Sequence, residues 1–430
     1  MDFFKYEHDE LYCEQIKINS IAQSVKTPFY LYSQNALIDN YARYHTAFQG
    51  IPNTICYALK ANSNLTLLKL LAERGSGADV VSGGELFIAL RAGFSPDKIV
   101  FAGVGKTDEE LQYAIETGIA AINVESVSEL EVIHQIAKRI NKKANVALRI
   151  NPDIDVHGHP FISTGKAFNK FGIDWELAPQ IYLDALKNKP MVNLVGIHNH
   201  IGSMIFNMDY YQAAAQKLVN LVQMLQSQGV PIQHIDIGGG LGVNYEQPIS
   251  MYINGKLQPA RPSSDPAILA RTIIPIIKPL NCELFFEPGR SLIANAGVLI
   301  SKVLHVKETR GNRFFCMDTG MNHLIRPSLY GAYHEVVPVQ AHSESFEEAD
   351  VVGPICESTD FLAQKRPLPL LKRGELIAVM TAGAYGYSLA TSYNGQPLPA
   401  EVLADENHFR IIRKRQTYED FFNLIPRDPE

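Results

Sequence analysis

Between about residues 50 and 290, eight short β-type runs alternate with amphipathic helical stretches, and each run is apolar on both faces. The runs are TICYAL (54–59), ADVV (78–81), KIVFAG (98–103), AINVES (121–126), NVALRI (145–150), LVGIHNH (194–200), HIDIG (234–238) and ELFFE (283–287). A strand without a polar face has no side to turn to water. Its natural setting is a parallel sheet covered by helices. Eight such units within about 250 residues predict a (β/α)8 TIM-type barrel in an α/β chain. A doubly wound open sheet is the competing architecture, because periodicity alone does not prove closure.

The intervening segments carry helix punctuation. Ser82 with Glu85, Thr107 with Glu110 and Ser126 with Glu129 fit capping boxes. Gly75, Gly93 and Gly118 stand where helices should stop, and Asp265-Pro266 reads as an N-cap with proline in the first turn. After about residue 293 the pattern changes: VLISKVLHVKETRGNRFFCMD alternates around an RGN turn, and further strands are expected near VVPVQA, ADVVGPI and ELIAVM. This predicts a second, mostly antiparallel β domain. The segment before the helix SQNALIDNYARYHTAF, whose Leu37, Tyr41, Tyr44 and Phe48 share one stripe, is expected to pair with it. The expected division is a barrel over 30–292 and a β domain built from 1–29 and 293–430. Two cores suit 430 residues, since single cores rarely exceed about 250–300 residues.

The net charge of -6 is spread without a basic run, so neither nucleic acid nor an anionic membrane is favoured as a partner. No apolar stretch approaches the roughly 20 residues of a membrane span. The acidic N-terminus MDFFKYEHDE is not expected to act as a secretory signal. Five scattered cysteines without CxxC spacing predict neither a disulfide framework nor a structural zinc site, and a cytoplasmic location is expected. His157, His159, His198 and His200 have no acidic companions at helical spacing, so no metal site is expected.

In a closed parallel barrel, side chains at the C-terminal strand ends face one cavity. Lys60 closes the first run, in ICYALKANSN. It is either a lysine snorkelling to water on its stem or an amine held in a low-dielectric pocket, neutral and nucleophilic. The rest of the rim bears on the choice: His200 ends the sixth run, GGGLG (238–242) leaves the seventh, and Glu287 and Arg290 of EPGR close the eighth. Consecutive glycines let backbone N–H groups approach a phosphate, and phosphates often bind after strands 7 and 8 of such barrels. Glu287 suits a protonated ring nitrogen, Arg290 a carboxylate, and His200 a flat ring beside the Ser203 hydroxyl. Singly, each feature has a plainer reading: a tight loop, a local ion pair around proline, a core histidine bonded to backbone. Together they meet the needs of pyridoxal 5′-phosphate.

YALKAN, HNHIGS, DIGGGLG, EPGR, CESTD and GAYG occur here in the order found in the fold-type III pyridoxal-phosphate-dependent decarboxylases. The chain resembles that family from about residue 25 to about residue 425. Within the family it is most similar to the diaminopimelate decarboxylases, including the loop HPFISTGKAFNKFGI (159–173) and the segment SYNGQPLPAEVL (392–403). The resemblance implies a carboxy-lyase that converts meso-2,6-diaminopimelate to L-lysine and CO2, the last step of lysine biosynthesis. It also implies a head-to-tail homodimer with active sites at the subunit boundary. Lys60 matches the lysine that binds the cofactor covalently and His200 the histidine that stacks on its ring. Ser203, Gly239, Gly240, Glu287, Pro288, Gly289, Arg290 and Tyr385 match positions around the phosphate and ring. Arg290, Arg326, Tyr330 and Tyr385 match the substrate site. Cys356, a proton donor, and Glu357, suited to an ammonium, match residues that reach in from the partner subunit. The alternative is decarboxylation of ornithine, arginine or carboxynorspermidine on the same scaffold. Those substrates lack a distal amino-acid head, so Arg326 and Tyr330 are the discriminating pair.

Overall fold

The computed structural model describes residues 3–154, 170–253, 256–341 and 346–425. His157, His159 and most of the loop 159–173 lie outside the described residues. The chain divides into two compact units, one of residues 38–243 and 263–292, the other of residues 1–37, 244–262 and 293–430.

The first unit holds eight parallel strands: β1 (Asn53–Ala58), β2 (Gly77–Val80), β3 (Ile99–Phe101), β4 (Ala121–Val124), β5 (Ala144–Asn151), β6 (Val192–His198), β7 (His234–Asp236) and β8 (Glu283–Phe286). They pair in chain order, and β8 pairs with β1, so the sheet closes and the open alternative is excluded. All eight predicted runs are strands. Three rim residues sit just past them rather than at their ends: Lys60 lies in the 3-10 turn Leu59–Ala61, His200 follows His198, the last residue of β6, and Glu287 follows Phe286, the last of β8.

Closure decides what each strand turns inward. Cys56, Val100, Ala121, Ala147 and Phe285, from five different strands, pack together as one cluster. Glycines make room at the same level. A Cβ on Gly77 would stand 2.9 Å from Cys56 Sγ, and one on Gly196 would stand 2.2 Å from His234 Nε2. Side chains alternate along a strand with a period of two. The residues two positions further on therefore face inward again, toward the C-terminal mouth. They are Asp79, Asn123, Arg149, His198, Asp236 and Glu287, all buried.

The helix ends follow the predicted chemistry with one variation. Thr107 and Glu110 form the reciprocal box. The Ser82 and Ser126 hydroxyls cap their helices, but Glu85 and Glu129 reach one residue further back, to the N–H of Val81 and of Glu125. Gly93 and Gly118 close helices in the left-handed conformation, and Asp265 caps Pro266–Ile277 through Ala267 N. Leu37, Tyr41, Tyr44 and Phe48 are all buried, with Phe48 packed 4.5 Å from Phe286.

The second unit is a mostly antiparallel sheet. Its strands run in the order Phe361–Leu368, Glu347–Val352, Asn312–Met317, Gly297–Thr309, Phe29–Ser33, Ala400–Asp405 and His408–Arg413. Phe29–Ser33 falls almost wholly inside the 30–292 span read from the sequence, yet it pairs with Gly297–Thr309 and Ala400–Asp405. Residues 244–262 also belong to this unit. Its core joins Phe29, Leu31, Val298, Ile300, Ala378 and Val402 to Leu11 and Cys13 of an N-terminal β meander that the sequence pattern did not reveal. Buried Glu14 ties that meander down by accepting from Ser33 Oγ at 2.7 Å and Asn35 N at 3.0 Å. Among the described residues, no helix is long and apolar enough to cross a membrane.

Candidate active site

The turn after β1 places the Lys60 amine against Asp79 of β2, in an ion pair whose acid is fully buried. Burial first, and then the charge of Glu287, push the Asp79 carboxyl up to about 7 against the pull of Lys60. The sequence led us to expect a desolvated, neutral amine. The structure instead gives that amine a buried carboxylate partner and leaves 38% of the lysine side chain exposed.

Across the mouth, Glu287 follows β8. Its Oε1 accepts from Asn123 Nδ2 at 3.3 Å, and its Oε2 lies 3.3 Å from His198 Nε2. Burial opposes ionisation, but His198, Lys60 and His200 outweigh it and hold Glu287 well below the usual carboxylate range. Asp236, the last residue of β7, is beside it. His198, Asp236 and Glu287 each offer an atom within 4.8 Å of the others. Helical spacing gave His198 no acidic companion; neighbouring strands supply two. The expectation of no metal site was therefore drawn from a test blind to groups assembled across a sheet.

Between these walls runs the glycine turn. Gly238 and Gly240 have φ of +67° and +101°, which glycine adopts at no steric cost. A Cβ on Gly239 would stand 2.2 Å from the Glu287 carbonyl oxygen, and one on Gly240 would stand 2.2 Å from that of Gly202. Gly239→Ala is thus an overpacking change against backbone, expected to cost about 1–3 kcal/mol. Thermal melting and cofactor titration should show a lower midpoint and weaker cofactor binding, and an unaltered protein would refute the close fit. Gly239 N donates to His200 Nδ1 at 3.1 Å, which leaves the ring proton on Nε2. Burial, then the charge of Arg149, lower the His200 imidazole to about 3, so it is neutral at pH 7. Tyr211 donates to the Gly239 carbonyl at 3.0 Å.

The barrel unit brings together Lys60, His200, Ser203, Gly239, Gly240, Glu287, Pro288, Gly289 and Arg290. Glu287 turns to Asn123 and His198, while Arg290 donates through Nε and Nη2 to Ser203 Oγ at 3.3 Å. The Pro288 carbonyl accepts from Ala58 N at 3.3 Å, tying the exit of β8 to β1. The other candidates belong to the second unit. Arg326 is buried, 2.7 Å from His334 Nε2 and over the Tyr245 ring. Tyr330 ends the same short helix, Arg326–Tyr330. Tyr385 holds a φ of +56°. Cys356 is exposed, its N–H bound to Asn394 Oδ1, and Glu357 accepts from the Tyr393 hydroxyl at 2.6 Å.

Sequence reasoning assigned no role to Asp79, Asn123, Arg149, His198 or Asp236. The available signal was a polar residue two places beyond a small or apolar inward residue in a buried run. Glu125, which accepts from Arg149 at 2.8 Å and Gly103 N at 3.0 Å, gave no such signal.

The site fits a pyridoxal phosphate group on the chain's own atoms. Asp79 Oδ1, Asn123 Oδ1, His198 Nδ1 and Asp236 Oδ2 are buried at this mouth without a hydrogen-bond partner among the described residues, whereas buried polar atoms are normally satisfied. A Cβ at Gly239 or Gly240 would collide with a backbone carbonyl, so only glycine fits this turn. Residues 34–294 match the pyridoxal binding domain of the pyridoxal-dependent decarboxylases. The chain belongs to that family. Among other pyridoxal-dependent decarboxylases, it is 44% identical to the diaminopimelate decarboxylase of Zymomonas mobilis, over 97% of each chain. It is 42% identical to that of Aquifex aeolicus, over 97% of this chain and 96% of the relative. The solved diaminopimelate decarboxylase of Helicobacter pylori, complexed with L-lysine, superposes with a TM-score of 0.88 at 40% identity, covering 95% of this chain and 99% of that one.

Proposed function

We propose that this chain is a pyridoxal-phosphate-dependent carboxy-lyase that converts meso-2,6-diaminopimelate to L-lysine and CO2, working as a cytoplasmic homodimer. The observation that carries the reading is the Lys60–Asp79 pair, set on the same barrel mouth as the Gly238–Gly240 turn and Glu287. The full-length likeness to diaminopimelate decarboxylases supports the choice of substrate. When bound, pyridoxal phosphate supplies an aldehyde for amines and an electron sink for the pair left by CO2.

The chain's own residues do the rest. Lys60 would hold the cofactor through its aldehyde carbon, with water as the leaving group. To act as nucleophile it must lose a proton, and Asp79, raised to about 7, is placed to take it. The glycine turn would hold the phosphate, neutral His200 would stack on the ring, and Glu287 would keep the ring nitrogen charged. Arg290 and Ser203 would flank the phosphate and a substrate carboxylate. From the second unit of a partner subunit, Cys356 returns a proton to the substrate carbon and Glu357 takes an ammonium. Arg326 and Tyr330 read the distal carboxylate. Lysine, ornithine or arginine would leave those donors unpaired, at about 1–3 kcal/mol or more for a charged group.

A CO2-release assay comparing meso-diaminopimelate with ornithine, arginine and lysine tests the assignment. Comparable release from ornithine or arginine would defeat it and support the alternative substrates. Cys356→Ala is expected to slow turnover by about 100-fold, the scale of one lost proton donor, while the cofactor stays bound. Wild-type rates in that variant would leave the thiol no chemical role.

A further inference from the structure

Asp236 has no part in the reading above, and its surroundings give it one. It ends β7 with no exposed surface. Its Oδ1 accepts from Gly238 N at 2.8 Å, whereas Oδ2 faces no donor among the described residues. Within 4.8 Å lies the second carboxylate, Glu287. Asp79 also faces the pair, but its charge is answered by Lys60. Two buried carboxylates this close raise the cost of ionising both, and the cluster is expected to keep one carboxyl proton.

Geometry says where it resides. Both Glu287 oxygens are engaged already, Oε1 by Asn123 Nδ2 and Oε2 by His198 Nε2. A proton on either would compete with one of those donors. Asp236 Oδ2 is the oxygen with nothing to lose. We propose that Asp236 is a neutral carboxylic acid in the working enzyme, whose Oδ2–H donates to Glu287 as a third positioning donor beside Asn123 and His198. The electrostatics agree: burial and the Glu287 charge raise Asp236 well above the carboxylate range. Cys56, another titratable neighbour, is likewise held protonated by burial and by these acids. The consequence is a mouth where Glu287 rather than Asp236 carries the negative charge, held by three donors at the place where the ring nitrogen is read. Asp236 is a positioning residue, and the inference rests on the reading of Glu287 as the acid facing that nitrogen.

The test uses purified holoenzyme with D236N, D236A and E287Q. Infrared difference spectra at pH 8 should show a protonated carboxylic-acid C=O band in wild type that is missing from D236N. An amide at 236 still offers a donor, so D236N should lose less than about fivefold in kcat and keep its cofactor on dialysis. D236A should lose roughly 10- to 100-fold and release cofactor faster. A wild-type spectrum with only carboxylate bands, or D236N as damaged as D236A, overturns the proposal. E287Q separates the two readings. If E287Q is impaired while the Asp236 band is absent, only this inference fails. If E287Q turns over and absorbs like wild type, the Glu287 reading fails, whatever the band shows.

Discussion

On the proposed function, Lys60→Ala is expected to reduce CO2 release by on the order of 10⁴-fold or more and to remove the visible absorbance of covalently held cofactor. The side chain paired with it at the barrel mouth is a carboxylic acid, Asp79, not an amine. The substitution also has a signature in the apoprotein. Folding raises Asp79 from 3.8 to about 7, so its protonation stabilises the fold fully below pH 3.8 and that contribution is lost as pH rises through about 7. Without Lys60 to pull it down, the folded carboxyl rises further, and the loss continues to higher pH. Melting of the apo variant should therefore worsen more steeply than wild type on the alkaline side. Measurable decarboxylation by the variant, or parallel stability curves, would remove Lys60 and Asp79 from the centre of the mechanism.

Glu287→Gln is the second large effect. The substitution keeps size and one acceptor oxygen but deletes the anion that Asn123 and His198 orient. Removing one preorganised electrostatic group from a buried site costs about 10²–10³ in rate. The loss should fall on kcat, because the carboxylate acts on charge that develops during CO2 loss, and the KM for diaminopimelate should change little. Lys60 is untouched, so the cofactor should remain covalently attached, in contrast to the first variant. A kcat within threefold of wild type would show that the ring nitrogen is served by something else.

Motifs that are contiguous in the chain are legible in the sequence alone. Lys60 in YALKAN, the glycines of GGGLG and the acid of EPGR stand at the ends of apolar runs, and the barrel brings their elements together. The partners of these groups are not legible in the same way. Asp79 meets Lys60 and Asp236 meets Glu287 across consecutive paired strands, while His198 meets Glu287 across the mouth from a strand that is not paired with β8. Each of those side chains is a lone polar residue in an apolar run. Without knowing which alternate positions face inward, such a residue reads equally well as a strand edge.

The same limit appears in the second unit. The RGN hairpin is plain from alternation and turn chemistry, because its two strands are adjacent in the chain. Membership of Phe29–Ser33 in that sheet required partners at 297–300 and 400–404. Local pattern, which depends on the period of side-chain direction and on turn residues, is enough to say which segments are strands, which are helices, and which residues carry reactive groups. Closure of the barrel and long-range pairing decided which of those groups touch, which acid keeps its proton, and which amine has a carboxylate beside it. Those are distances between residues far apart in the chain, and burial of the assembled whole sets their charges.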